Sequence, residues 1–228
     1  MALAEWYAAA GATDHWTFEG GGPGTVIGSP VYVPGLDGGQ AASTLTGHDG
    51  FVVDPVLPSD TGSFTVALWL LPHAGASSGD VLRWGSTPGV GVEFNGVGGD
   101  RQPGTVTVWA RVSNGSYALR ATTPQPLATD RWHLLVLTVE TVNYRGGVEA
   151  RAYLDGGQFG SGQYLGGLFN WIHIDRPATL TLLAGGAPAT VDDVGLLMWA
   201  ATARDVAALA SAGPQDTSVA RYGWGVAF

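Results

Sequence analysis

Residues 63–71 alternate with almost no polar side. Phe64, Val66, Leu68 and Leu70 take one face of the strand they predict, and Thr65, Ala67, Trp69 and Leu71 take the other. Neighbouring side chains of a strand point to opposite faces, so two largely apolar faces predict a central strand covered on both sides. Other segments alternate more cleanly. Val90, Val92 and Phe94 oppose Gly89, Gly91 and Glu93, and Val106, Val108, Ala110 and Val112 oppose Thr105, Thr107, Trp109 and Arg111. Asn114-Gly115 is a strong hairpin signal and makes residues 117–122 the partner strand. Further strands are predicted at 81–84, 131–140, 148–154, 179–183 and 191–199, with a tight turn at Asp155-Gly156 and a long Gly- and aromatic-rich connection over 160–177. Helix formers fill residues 3–10. Thr202 and Asp205 form a capping-box pattern that opens a helix over 203–210, stopped by Gly213-Pro214. The total is about a dozen short strands with a brief helix near each end, without a fixed-period repeat or helix–strand alternation, which predicts an all-β antiparallel chain.

Composition then narrows the function classes. Hydrophobic residues make up 45% of the 228 residues and charged residues 13%, which suits one globular sandwich, expected over residues 1–213 with an aromatic tail at 214–228. The net charge is −9 and the ten basic residues are all Arg, scattered along the chain, so no nucleic-acid partner is expected. The absence of Cys excludes disulfides and Cys-ligated metals. The first ten residues carry Glu5 and no positive charge, and no stretch approaches the length of a membrane span. The expectation is a chain made in the cytoplasm without an export signal and without a membrane partner.

Five fragments, in order, resemble one family. They are Tyr7-Ala8-Ala9-Ala10 before His15-Trp16-Thr17-Phe18-Glu19, then Gly62-Ser63-Phe64-Thr65-Val66-Ala67-Leu68-Trp69-Leu70, then Arg131-Trp132-His133-Leu134-Leu135-Val136-Leu137-Thr138. Tyr153-Leu154-Asp155-Gly156 follows, and Val191-Asp192-Asp193-Val194 precedes the last helix. Together they resemble the laminin-G-like, concanavalin A-like jelly-roll family. The resemblance implies an antiparallel jelly-roll β-sandwich closed over Phe64, Leu68, Leu135 and Leu196. Members include carbohydrate-binding modules, adhesion domains and virion proteins of tailed bacteriophages. The opening pattern and the one-domain, Cys-free chain look most like the last group. The expected role is therefore a non-enzymatic virion-associated tail or decoration protein, located on the virion and touching other virion proteins, further copies of itself or a cell-surface glycan. The alternatives are a lectin-like carbohydrate-binding module, which would be extracellular, and a sandwich-fold glycosidase.

Candidate chemistry centres on one acid and several aromatics. Asp192 shares strand parity with Val194, Leu196 and Met198, so it is expected to face the core, where a carboxylate must be bonded or bound to metal. The family resemblance implies a structural Ca²⁺ at this Asp. The loop over residues 20–25 offers no carboxylate or amide side chain, which leaves Glu19 as the nearest second ligand. The alternative is an Asp satisfied by backbone N–H groups, Arg or His. No other cofactor is expected. The five His residues lack ligand spacing, and no nucleophile or phosphate-loop motif occurs. Glycosidases need paired carboxylates, whereas Glu93, Glu140 and Glu149 stand alone along the chain and Asp192-Asp193 should point to opposite faces, so catalysis is not expected. Sugar rings stack on exposed aromatic faces. Trp109, on the polar-parity face, is the best exposed candidate, with Tyr117, Tyr144, Tyr164 and Trp171 in or near loops. The same aromatics would otherwise fill the core or a protein interface. The apolar segment 169–175 and the tail 222–228, with Trp224, are expected assembly contacts.

Overall fold

The computed structural model describes residues 2–19, 24–36, 38–44, 49–53, 62–97, 100–143, 147–165 and 179–213. Tyr144, Trp171, Trp224, the segment 169–175 and the tail 222–228 lie outside them. The chain opens with helix α1 (Leu3–Ala9) and the short strands β1 (Asp14–Trp16), β2 (Thr25–Ile27), β3 (Val31–Pro34), β4 (Gln40–Ser43) and β5 (Gly50–Val53). Longer strands follow: β6 (Phe64–Pro72), β7 (Gly79–Gly85), β8 (Gly89–Asn95), β9 (Thr105–Arg111), β10 (Tyr117–Thr122), β11 (His133–Asn143), β12 (Gly147–Leu154) and β13 (Gly157–Tyr164). The chain then forms β14 (Leu180–Gly185), β15 (Ala189–Leu197) and helix α2 (Ala203–Ala212). Neither helix is long and apolar enough to cross a membrane.

The strands form two antiparallel sheets. The first runs β13-β12-β11-β6-β15-β4-β3, with β1 also paired to β15; the second runs β10-β9-β8-β7-β14-β5-β2. Their facing sides enclose one core that contains Phe64, Leu68, Leu135 and Leu196 together, as the sequence predicts, and adds Trp84, Val92, Val108 and Leu182. Trp84 meets Phe64 edge-on, with ring centroids 5.2 Å apart. The other face of β6 is buried too. Ala67 and Trp69, with Leu134, Val136 and Tyr153 of the neighbouring strands, form a second core against Leu3, Trp6 and Tyr7 of α1 and Val206 and Leu209 of α2. Two apolar faces on one strand thus have a physical cause: the sandwich covers one and the helices cover the other. The capping box of α2 forms as read, with Thr202 N–H donating to Asp205 Oδ2 at 2.9 Å and Asp205 N–H donating to Thr202 Oγ1 at 3.3 Å.

Two stretches differ from the sequence reading. Strands β2 to β5 were not predicted, since each has three or four residues and β4 (Gln-Ala-Ala-Ser) lacks β-formers. The predicted connection over 160–177 begins as strand, because β13 continues to Tyr164. Its glycines permit the sandwich to close. A Cβ at Gly160 would sit 2.3 Å from Ala121 Cβ, and one at Gly162 would sit 2.1 Å from the Ala118 carbonyl oxygen, so β10 can approach β13 only where side chains are missing.

Candidate ligand-binding face

Helices roof the outer face of the first sheet, but among the described residues no helix covers the outer face of the second. Cross-strand register places Arg120, Trp109, Gly91 and Arg83 in one row there, on β10, β9, β8 and β7 in turn. One row over lie Tyr117 and Arg111, and on the other side Thr122, Thr107 and Glu93. The inward partners of these positions, such as Val108, Val92 and Leu82, belong to the core. Alternation along each strand therefore creates the polar face and the apolar one together.

Trp109 has the predicted parity but not the predicted exposure: only 7% of it is accessible. The indole lies flat across Gly91, where an added Cβ would fall 2.5 Å from a ring carbon. The Arg83 and Arg111 guanidiniums then cap it, 5.8 and 5.6 Å from the ring centroid. Tyr117 is 36% exposed and takes Arg111 and Arg120 against its ring at 4.6 and 5.1 Å. Arg111 Nη2 also donates to the Tyr117 hydroxyl. Beside this ladder, Arg101 Nη1 donates to Thr107 Oγ1 and Thr122 Oγ1, both at 2.6 Å, and Asn95 Nδ2 donates to Thr105 and Thr107 at 3.0 Å. Tyr164, in contrast, closes the sandwich edge. It packs on the core at the end of β13, and its hydroxyl accepts from Asn114 Nδ2 at 2.5 Å.

The seat under Trp109 gives a direct prediction. Gly91→Val should lift the indole off the sheet, so tryptophan emission shifts to the red and intensity becomes quenchable by iodide. An unchanged spectrum with retained stability would show that the ring does not rest on Gly91.

The carboxylates are less solitary than the sequence suggests. Register pairs Glu93 with Asp80 on β7, and Glu140 with Glu149 across β11 and β12. An arginine attends each pair: Arg83 Nη1 holds Asp80 Oδ2 at 3.0 Å, and Arg151 holds both Glu149 at 2.5 Å and Glu140 at 3.9 Å. Burial pushes the Asp80 carboxyl up, Arg83 pulls it back down and Glu93 raises it again.

Asp192 also departs from its predicted side. Val191 and Val194 both face the inner core, which is incompatible with simple alternation. The register shifts between Asp192 and Gly195, and Asp193 takes a positive φ of 45°. This bulge reverses the parity, so Asp192 lies opposite Trp69, on the helix-covered face. There it is 4% exposed and accepts N–H bonds from Leu36 and Asp193, both at 2.9 Å. Asp193 is buried as well and contacts His15 Nε2 at 2.8 Å. Desolvation, with the Asp193 and Glu19 charges adding to it, pushes the Asp192 carboxyl up to about 8 despite the two amide bonds.

Glu19 reaches the same β3–β4 turn, where its Oε1 accepts from the Gln40 N–H at 2.7 Å. The fold therefore brings the two expected Ca²⁺ ligands to one turn. Calcium takes about six to eight oxygens, whereas no group of three or more acidic or imidazole side chains suited to a metal gathers among the described residues. The nearest groups on Asp192 are N–H donors, which suit a carboxyl and not a cation. Among the described residues these two carboxylates are fewer ligands than a calcium cage needs.

The geometry can be set beside known proteins. Residues 40–207 match the family model described as the Concanavalin A-like lectin/glucanases superfamily. No curated protein sequence matches the chain. Among solved structures, domain 4 of AbnA, an extracellular arabinanase of Geobacillus stearothermophilus in complex with arabinotriose, is similar at a TM-score of 0.63 and 22% identity, over 87% of this chain and 98% of that one. The binding domain of Botulinum neurotoxin serotype D is similar at 0.65 and 11%, over 90% and 52%. That of Paraclostridial Mosquitocidal Protein 1 is similar at 0.62 and 13%, over 87% and 51%. The chain thus spans nearly all of the arabinanase domain and about half of each toxin binding domain. At these identities the likeness is one of fold. Two antiparallel sheets, a helix at each end and a family match over most of the length agree, and the chain belongs to the concanavalin A-like lectin/glucanase superfamily as a laminin-G-like jelly-roll sandwich.

Proposed function

We propose that this chain is a non-catalytic glycan-recognition module that presents the outer face of its second sheet to a saccharide. One observation carries the reading. The first sheet spends its outer face on packing two helices, while the outer face of the second carries exposed Arg83, Tyr117 and Arg120 over a buried layer of Trp109, Thr107 and Asn95. Saccharides are held by this mix of planar groups and directional hydrogen bonds. The similar arabinanase domain in complex with arabinotriose supports it. Register sets Asp80 opposite Glu93, and paired carboxylates are what a glycosidase needs. Its tie to Arg83 favours a structural role. A glycan array tests the reading, followed by incubation of the hits. Binding without new reducing ends is expected. Release of reducing ends that Asp80→Asn abolishes would replace this reading with a glycosidase.

A second reading, assembly on a virion as a tail or decoration protein, is favoured by a different surface. β2 and β3 are the outermost strands of the two sheets at one edge, and Val26, Ile27, Val31 and Tyr32 are exposed along them. Apolar edge strands are templates for pairing with another chain, here a second copy or another virion protein. Ile27→Lys with Tyr32→Lys should then convert the assembled form to monomer in light scattering. A wild-type chain that stays monomeric and is left out of particles contradicts this reading.

A further inference from the structure

We propose that the ligand of this face is an acidic glycan, whose carboxylate or sulfate groups are gripped by Arg101, Arg111 and Arg120; this rests on the glycan-recognition reading above. The chain carries 19 acidic residues against ten arginines. In such a chain an arginine normally finds a carboxylate. Among the described residues, however, ion pairs engage only Arg83, Arg131 and Arg151. Of the four described arginines left without one, three gather on the outer face of β9, β10 and the segment beside them, and Arg204 sits apart on α2. With Asp100 beside Arg101 included, the face and its flanking segment hold four arginines against three carboxylates, the reverse of the sign of the whole chain.

The bonding of these arginines points the same way. Arg111 gives one N–H to the Tyr117 hydroxyl, and its buried Nε finds no acceptor. The buried Nε is out of a ligand's reach, so the Nη groups of this half-buried arginine are the ones left to take an anion. Arg120 is exposed and stacks on the Tyr117 ring, and among the described residues its guanidinium makes no hydrogen bond or ion pair. The stacked aromatics orient the planar forks without satisfying them.

Neutral alternatives fit less well. The Trp109 ring is already capped by guanidiniums, so a neutral sugar has no tryptophan platform to stack on. A protein partner would want an apolar centre, yet within strands β7 to β10 Tyr117 is the one large exposed hydrophobic residue. Thr122 and Thr181, both half-buried, instead place hydroxyls beside the cations, as a polyhydroxylated anion requires.

The test titrates the full chain with three hexasaccharides, a neutral arabinan, a polyuronate and a heparin fragment, and with poly-glutamate, by calorimetry. At least one acidic saccharide should bind about tenfold or more tightly than the arabinan, with affinity falling as salt rises. The two acidic arms separate carboxylate from sulfate. Arg120→Gln should weaken that binding about tenfold, the usual effect of losing a charge-assisted hydrogen bond, and Arg120→Lys should restore part of it. Arg204→Gln, which changes net charge equally on the far side, should leave it unchanged. Arg120 is exposed, so its variants fold even if Arg111→Gln does not. Equal affinity for the neutral arm, with Arg120→Gln silent, overturns the acidic ligand and leaves glycan recognition standing. Binding to no saccharide overturns both. Poly-glutamate binding as tightly as the best saccharide overturns the glycan as occupant.

Discussion

Trp84→Ala should cost about 3–5 kcal/mol of folding stability, the usual range for emptying a buried aromatic site. Trp84 is wholly inaccessible and sits between the sheets, edge-on to Phe64. Its strand β7 lies at the centre of the second sheet, between β8 and β14, so the lining cannot collapse inward without moving paired strands. The chemistry of the ring refines the expectation. Its buried Nε1 finds no hydrogen-bond acceptor, so the indole carries a penalty that a phenyl ring would not. Trp84→Phe should accordingly cost under about 2 kcal/mol, the lost volume being partly offset by removal of the unsatisfied N–H. Urea unfolding of the three proteins reads both values. A cost below about 1 kcal/mol for the alanine variant would mean that the indole is not clamped between the sheets.

Stability should fall as pH rises from about 4 to 8, and Asp192 should account for the larger part of the fall. Its carboxyl moves from an ordinary 3.8 to about 8 in the folded chain. The folded state therefore holds a proton that the unfolded state releases. That contribution is fully present below the unfolded value and is lost as pH climbs through the folded one. At about 1.36 kcal/mol for each pH unit between those two values, the ceiling is about 5 kcal/mol. Asp192→Asn isolates the effect. Both Asp192 oxygens accept backbone N–H groups, and an amide can accept only one of them, so the variant should be weaker by about 1–3 kcal/mol at pH 5. The variant does not titrate, so the gap should close or invert by pH 8.5. Groups common to both proteins, such as His73, whose value burial lowers, cancel in the comparison. A gap that stays constant across this range would show that Asp192 is ionised throughout.

How much of this was legible in the sequence depends on whether the signal was local. The two apolar faces of residues 63–71, the capping box at Thr202 and the turns at Asn114-Gly115 and Asp155-Gly156 each state their own structure, and each is found. The bulge at Asp193 is not local: a single left-handed residue reverses every parity before it, and nothing in Val191-Asp192-Asp193-Val194 announces it. The carboxylate pairs were missed for a similar reason. Asp80 meets Glu93, and Glu140 meets Glu149, only through strand register, which a reading along the chain does not contain. Trp109 was placed on the correct face and misjudged in exposure. The signal that could have corrected it was Gly91, a residue without a side chain on the outward parity of the neighbouring strand, together with arginines at 83 and 111.

The role of the open sheet face can be measured directly by mapping backbone amide chemical shifts during titration with the best-binding acidic hexasaccharide. The account predicts that the perturbed amides cluster on β7 to β10, around Arg83, Gly91, Trp109, Arg111, Tyr117 and Arg120. Perturbations confined to the β2–β3 edge, or to the side covered by α1 and α2, would contradict it.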